Sequence, residues 1–389
     1  MRPRAAVVHP HLVAGGGSEA VALWTVKALQ DDFRVTLITM GRPDLEALDR
    51  SCGAGVDPAR VEVRALAVPP GLRTRFDALR GVRLERHCRR HAGEFEVMIS
   101  AYNAMDFGLP GIQHVVDFSF DDRLRRELHA GGGAAAGPFH RASAGRSLYL
   151  AAAAALAGRR GDGWKRNRTL ACSAWVRDVL ARRFAVAAEV VYPPVAEAGA
   201  TTPWPEREDG FVVMGRLVPE KGFGLVVDVL ARVRERRPVH LHVLGRPVRA
   251  AYAREIDRLR RRHGDWIRLE GPVYGPEKEA VLGRHKYGIS GCRSEAFGIA
   301  VAEMVKAGAI VWVPDGGGQT EIVDHPDLIY ADAAGAAAQI LGTIGDPERE
   351  AGLRRHLAGR GAAFSGGRFV AETRAAVADF LKGKNGRPA

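Results

Sequence analysis

The stretch from His285 to Val323 constrains the fold of this chain more than any other. It reads HKYGISGCRSEAFGIAVAEMVKAGAIVWVPDGGGQTEIV, and the pattern predicts strand, loop, helix, strand, glycine loop, helix. Tyr287 to Ile289 is a short apolar run ending in small and polar residues. Ile299, Ala302 and Val305 then recur at helical spacing, and Gly308 suits the helix C-terminus. Ile310 to Val313 is continuously apolar, as a parallel strand covered on both faces requires. Gly316-Gly317-Gly318 follows, and Thr320 is placed to cap another helix.

The same alternation extends through the chain. Strands are expected at Phe211 to Met214, Val239 to Leu244 and Ile267 to Leu269, with helices such as Leu225 to Arg236 and Ala250 to His263 between them. An earlier block repeats the scheme, with strands at Ala5 to His9, Arg34 to Thr39, residues 61–68, Glu96 to Ser100, Gly111 to Val116 and Thr169 to Ser173. Strands alternating with helices give doubly wound parallel sheets, whose ligands bind beyond the carboxyl ends of the strands. The fold class expected is α/β, with two Rossmann-like domains facing a central cleft. The first spans 1–195, the Pro-containing polar stretch 196–209 is a linker, and the second spans 210–365. Residues 366–389 hold a final amphipathic helix and a frayed tail. A chain of 389 residues allows each domain its own core.

Composition excludes some classes. Hydrophobic residues make up 46% and charged ones 26%, which is globular and not disordered. The longest apolar run, Leu148 to Ala157, is too short to span a bilayer. The opening MRPRAAVVHP lacks a signal-peptide layout, and Cys52, Cys88, Cys172 and Cys292 are scattered. Reduced thiols in a cytoplasmic protein are therefore expected. The net charge of +12 fits an anionic membrane surface or a phosphorylated ligand, while no nucleic-acid module pattern occurs. A helix from about Phe76 to His91 carries Arg80, Arg83, Arg86, Arg89 and Arg90 against Asp77 and Glu85, a face that is either solvated or peripheral to a membrane.

Several constellations carry chemistry. Glu295 lies in the loop ahead of a helix and Glu303 about a turn and a half inside it. Phosphate would sit on the free amides near Gly298 and Ile299, where the helix dipole favours an anion, with carboxylates on either side for sugar hydroxyls. In the loop GRLVPEKG, Arg216 and Lys221 bracket a turn where forked and point-charge donors suit a diphosphate, and Gly215 and Gly222 let the backbone pass close. A strand, the loop HLVAGGGSE and a helix form a further phosphate- or sugar-approach site, although GxGxxG is absent. In GIQHVVDFSFDD the polar candidates are His114, read as a satisfied core histidine, and Asp117, which is either a turn acceptor or a working carboxylate. Asp121-Asp122 reads as a helix start. No metal is expected, because no DxD-type pair falls on a predicted cleft loop.

At Glu295 and Glu303, with seven residues between them, the chain resembles the retaining family-4 glycosyltransferases of GT-B fold. The wording is closest to the branch containing the cytosolic-face mannosyltransferases of lipid-linked oligosaccharides and their prokaryotic relatives. The likeness covers most of the chain and is strongest from Gly210 to Tyr330. It implies transfer of a hexosyl group from a nucleotide diphosphate sugar to a glycan, glycolipid or lipid-linked acceptor. No cofactor is implied beyond that co-substrate, and the protein would work at the inner membrane face or in the cytoplasm. The implied roles are leaving-group stabilisation by Arg216 and Lys221, donor-sugar contacts from Glu295 and the backbone at Phe297 and Gly298, and ribose contacts from Glu303. Gly16 and Gly17 would lie over the donor phosphates, and the C-terminal helix would cross back to the first domain. Val116, Ser290 and Ala296 stand where close relatives usually have histidine. These departures leave open a catalytically inactive nucleotide-sugar or glycan-binding protein. An epimerase of the same fold is the weaker alternative.

Overall fold

Two parallel sheets form where apolar runs alternate with helices. The computed structural model describes residues 2–12, 16–67, 77–129, 144–158, 162–199 and 201–385. The strands of the first sheet are β1 (Arg4–His9), β2 (Arg34–Met40), β3 (Val61–Leu66), β4 (Val97–Ser100), β5 (Ile112–Val115), β6 (Arg168–Ala171) and β7 (Glu189–Val190). Those of the second are β8 (Glu208–Met214), β9 (His240–Leu244), β10 (Ile267–Gly271), β11 (His285–Ile289), β12 (Ile310–Pro314) and β13 (Ile329–Tyr330). Their orders are β3-β2-β1-β4-β5-β6-β7 and β10-β9-β8-β11-β12-β13. Each pairing between these strands is parallel.

The chain divides into two compact units, one of Met1–Arg126, Ala136–Pro194 and Gly366–Ala389, the other of Glu127–Ala135 and Val195–Ser365. In the first, the last helix, Gly366–Asn385, sets Phe369, Ala376 and Val377 into the core beside the helix Gly17–Leu29. Arg374 Nε donates to Ala28 O at 2.7 Å. A Cβ at Gly366 would lie 2.1 Å from the Trp24 ring, so glycine allows the two helices to approach there. In the second unit, Ile310, Val311, Trp312 and Val313 of β12 are fully buried. Each such side chain contributes about 1.5–3 kcal/mol relative to exposure. Trp312 packs with Phe211 and Tyr287, and the Tyr287 hydroxyl donates to Glu350 Oε1 at 2.6 Å.

Some local expectations need correction. The helix after the glycine loop starts at Gln319 with Gly318 as its cap, and Thr320 instead donates its hydroxyl back to Gly317 O at 2.9 Å. The basic helix is Asp77–His91, and Glu85 is buried in it, not on the solvated face. Arg83, Arg86 and Arg90 are exposed, whereas Arg89 pairs with Asp106 at 2.7 Å. β13 was not foreseen, because two residues carry no periodicity. Phe76, the glycines at 131–133 and the end of the tail, 386–389, lie outside the described residues. All four cysteines are buried thiols. No helix among the described residues is long and apolar enough to cross a membrane.

Candidate functional site

In the second sheet β8 lies beside β11, and winding runs from β8 to β9 and β10 in one direction and from β11 to β12 and β13 in the other. At such a reversal the loops leaving the two neighbouring strands diverge to opposite faces, opening a crevice beyond their carboxyl ends. These loops are residues 215–222 and 290–298, which carry Arg216, Lys221 and Glu295.

Glycines set how closely the loops meet. Gly222 has φ +64°, and a Cβ there would lie 2.1 Å from Gly291 O. A Cβ on Gly291 would in turn lie 2.3 Å from Gly222 O. The two backbones therefore touch with no space for a side chain between them. The glycine loop after β12 closes on the same segment from another direction. Gly317 has φ +75°, its Cβ would lie 2.4 Å from Glu295 O, and Gly318 N–H donates to that oxygen at 2.7 Å. Gln319 Nε2 donates to Cys292 O. The loop bearing Glu295 is thus clamped between two others.

Lys221 and Glu295 form an ion pair across this contact, with side chains 32% and 21% exposed. Burial favours the neutral amine of Lys221, but the Glu295 charge, helped by Cys292, outweighs it and raises the pKa. Burial likewise opposes ionisation of Glu295, yet the Lys221 charge, its hydrogen bond and the Arg216 charge hold the carboxyl below its usual value. Both groups are therefore charged at neutral pH. Arg216 is exposed, and its side chain makes no ion pair among the described residues. It acts on the pair through its field alone.

Gly298 caps the helix Ile299–Lys306 at φ +105° and, being glycine, offers no side-chain oxygen to the amides of the first turn. Phe297 is buried, edge-to-face with Phe364 at 5.4 Å between centroids. Its ring anchors the loop ahead of the helix. Glu303 is paired with Lys278 Nζ at 2.8 Å, and both side chains are about one-fifth exposed (20% and 21%). Lys278 was not singled out from sequence. It sits on the helix Gly275–Arg284, and no local spacing relates it to Glu303.

The remaining candidates belong to the first unit, whose winding reverses between β1 and β4. Gly16 caps the helix that starts at Gly17 and also provides no side-chain hydrogen bond. Asp117 is tightly held: Oδ1 accepts from Ser119 N–H at 2.8 Å and from Asn103 Nδ2, and Oδ2 accepts from the Tyr102 hydroxyl at 3.4 Å. Asn103 organises the network. Its Oδ1 accepts from Val116 and Asp117 N–H, both at 3.0 Å, although its φ of +62° is unfavourable for a side-chain-bearing residue. Sequence reasoning missed Asn103; its asparagine at a strand end was the available signal. Val116 packs partly against the core. His114 is a satisfied core residue, with Nε2 3.0 Å from Val191 O, its ring stacked on Phe369, and its pKa lowered to about 4 by burial. Asp121 accepts from Arg123 and Leu124 N–H and starts the helix Asp122–Leu128.

Residues 208–346 match the family model described as glycosyl transferases group 1, so the second unit carries a domain of that kind. No curated protein matches the chain significantly. Among solved structures, Anabaena Alr3699/HepE in complex with UDP and glucose aligns at TM-score 0.67 with 16% identity, covering 98% of this chain and 100% of that one. Sucrose-phosphate synthase from Thermosynechococcus elongatus aligns at TM-score 0.70 with 16% identity, covering 98% and 100%. WaaG, a glycosyltransferase of lipopolysaccharide biosynthesis, aligns at TM-score 0.66 with 12% identity, covering 92% and 95%. The chain shares the GT-B fold of these proteins.

Proposed function

We propose that this protein is a retaining glycosyltransferase of the family-4 type, moving a hexosyl group from a nucleoside diphosphate sugar to a hydroxyl of a glycan, glycolipid or lipid-linked saccharide. The observation that carries the reading is the Lys221–Glu295 pair with Arg216 beside it, clamped at the winding reversal of a glycosyl transferases group 1 domain. HepE, which binds UDP and glucose, has the same fold.

Charge builds on the leaving diphosphate as the glycosidic bond breaks, and fixed cations lower that barrier most where water is scarce. Lys221 has three N–H donors. Glu295 takes one, which leaves two for phosphate oxygens without breaking the pair. Arg216 adds a fork suited to the second phosphate. Glu295, fixed as a carboxylate, accepts from donor-sugar hydroxyls, and the backbone at Phe297, Gly298 and Ile299 provides N–H groups. Glu303 binds Lys278 through Oε1 and keeps Oε2 for the nucleotide ribose. Gly16 and Gly17 serve the donor phosphates. Asp117 receives a hydrogen bond from an acceptor or donor hydroxyl where relatives use histidine. With cations already present, turnover needs no divalent metal. The protein is cytoplasmic in this reading, and the exposed arginines of the helix Asp77–His91 suit peripheral contact with an anionic inner membrane face.

The test is incubation with nucleotide sugars and saccharide acceptors, following nucleoside diphosphate release and the anomeric configuration of the product by NMR. Retention with stoichiometric release supports the proposal. Nucleotide-sugar binding without transfer to any acceptor favours the inactive binding protein that Val116, Ser290 and Ala296 leave open. An inverted product overturns the retaining assignment.

A further inference from the structure

The opposite edge of the second sheet gathers three histidines and a glutamate. Glu208 and His285 are the first residues of β8 and β11 and pair in register, while His240 and His242 share one face of β9. One ligand atom from each of the four lies within 4.8 Å of every other. The imidazoles crowd together at steep angles, with centroids 4.3 Å apart for His242 and His285 and 5.1 Å apart for His240 and His242.

Hydrogen bonding fixes which nitrogens are available. His242 Nδ1 lies 2.6 Å from Glu270 Oε1, and His285 Nδ1 lies 2.6 Å from Val281 O. Both partners only accept, so each Nδ1 carries the proton and each Nε2 presents a lone pair. The Nε2 atoms of His242 and His285 are buried without a hydrogen-bond partner, and that of His240, also buried, has only the Glu208 carboxylate nearby. Leaving two such atoms unsatisfied side by side is costly, and lone pairs facing one another repel. Glu208 Oε2 approaches the same point, 3.1 Å from His240 Nε2 and 3.8 Å from His285 Nε2, while Arg284 holds Glu208 Oε1 at 3.5 Å. The space is kept open by Gly210, where a Cβ would lie 2.3 Å from His240 Nε2 and 2.7 Å from His285 Cδ2.

We propose that Glu208, His240, His242 and His285 bind a Zn2+ ion that staples the amino ends of β8, β9 and β11. Three imidazole nitrogens and one carboxylate oxygen are a tetrahedral zinc set, and a closed set of four protein ligands marks a structural site. Zinc–ligand bonds of about 2.0–2.1 Å place ligand atoms about 3.3 Å apart, so the cluster contracts slightly on binding. The hydrogen bonds from His242 to Glu270 and from His285 to Val281 O are the outer-shell contacts that orient metal-binding histidines. Zinc enters from solvent past Glu208 and His240, whose side chains are 42% and 23% exposed. In parallel strands this edge lies at the far end from Arg216, Lys221 and Glu295, so the metal stands apart from the chemistry proposed above.

The experiment uses the full chain without a polyhistidine tag, stripped with chelator and desalted. One equivalent of Zn2+ should remain bound through gel filtration and raise the Tm. Co2+ in its place should give the intense visible bands of a tetrahedral ion. His242→Gln should lose stoichiometric binding. Glu270→Gln should keep the ligands and weaken binding about 10- to 100-fold. Should His242→Gln not fold, His240→Ala, at the more exposed side, makes the same test. Failure of the wild type to retain Zn2+, or retention undiminished in a folded His242→Gln or His240→Ala variant, overturns the proposal.

Discussion

The two sheets wind alike yet equip their carboxyl edges differently. In the second unit the residues after β8 and β11 are cations and carboxylates held by glycine-to-glycine backbone contact. In the first unit the edge at β4 and β5 has a hydrogen-bonded network of Asn103, Asp117, Tyr102 and Ser119, and β1 ends in the buried His9, whose pKa burial lowers to about 3. The difference teaches what each edge can recognise. Paired charges with a free guanidinium suit a diphosphate, whose own charge compensates them. A network of hydroxyl and amide groups around one carboxylate suits hydroxyl groups, which exchange hydrogen bonds without a charge.

Perturbing the charged edge should give the largest effect. Lys221→Ala removes the leaving-group cation, and turnover should fall about 10²–10³-fold or more, with only a modest fall in Tm from the Glu295 carboxylate left without its partner. Normal turnover would refute the leaving-group role. Next, Glu303→Ala should weaken donor binding about 10- to 100-fold, the worth of a charged hydrogen bond, measured as KM for the nucleotide sugar. If the KM is unchanged, Glu303 serves only to pair Lys278. On the first unit, Asp117→Asn keeps size and most hydrogen bonds, so turnover should fall about tenfold or more at unchanged Tm. Near-wild-type turnover would return Asp117 to the scaffold and leave the Val116 position without a polar substitute.

The smallest effect concerns stability. The Glu295 pKa is depressed in the folded state, so its contribution is present above the unfolded value near 4.5 and fades as pH falls through the folded value. Lys221 is raised, so its contribution is complete below 10.5 and fades as pH rises through the folded value. The stability difference between wild type and Glu295→Gln should therefore be flat across neutral pH and shrink at both extremes. Denaturant titrations at several pH values measure it, and a difference that grew on acidification would contradict the assignment.

Much of this was legible in sequence for a physical reason. Strands covered on both faces are continuously apolar, as Ile310 to Val313 are, and Arg216, Lys221 and Glu295 could be located in the loops just beyond such strands. What escaped depended on distant partners. Nothing near Glu303 points to Lys278, and Asn103 gains its role only when β4 and β5 pair side by side. Thr320 looked like a cap, but the close approach of Gly317 to the Glu295 backbone moves the helix start to Gln319. His240 and His242 fall in the expected strand Val239 to Leu244 and His285 lies ahead of Tyr287 to Ile289, and only the register of β8, β9 and β11 brings the three together.

The most direct measurement is thermal melting of wild type and Lys221→Ala with UDP-, GDP-, ADP- and dTDP-sugars, with and without added Mg2+. A ligand that binds only the folded state raises the Tm by mass action. At least one of these donors should raise the wild-type Tm equally with and without Mg2+, and this rise should be lost or greatly reduced in Lys221→Ala. No rise with any donor, a rise that requires Mg2+, or an equal rise in the variant would contradict a metal-free diphosphate site built on Lys221.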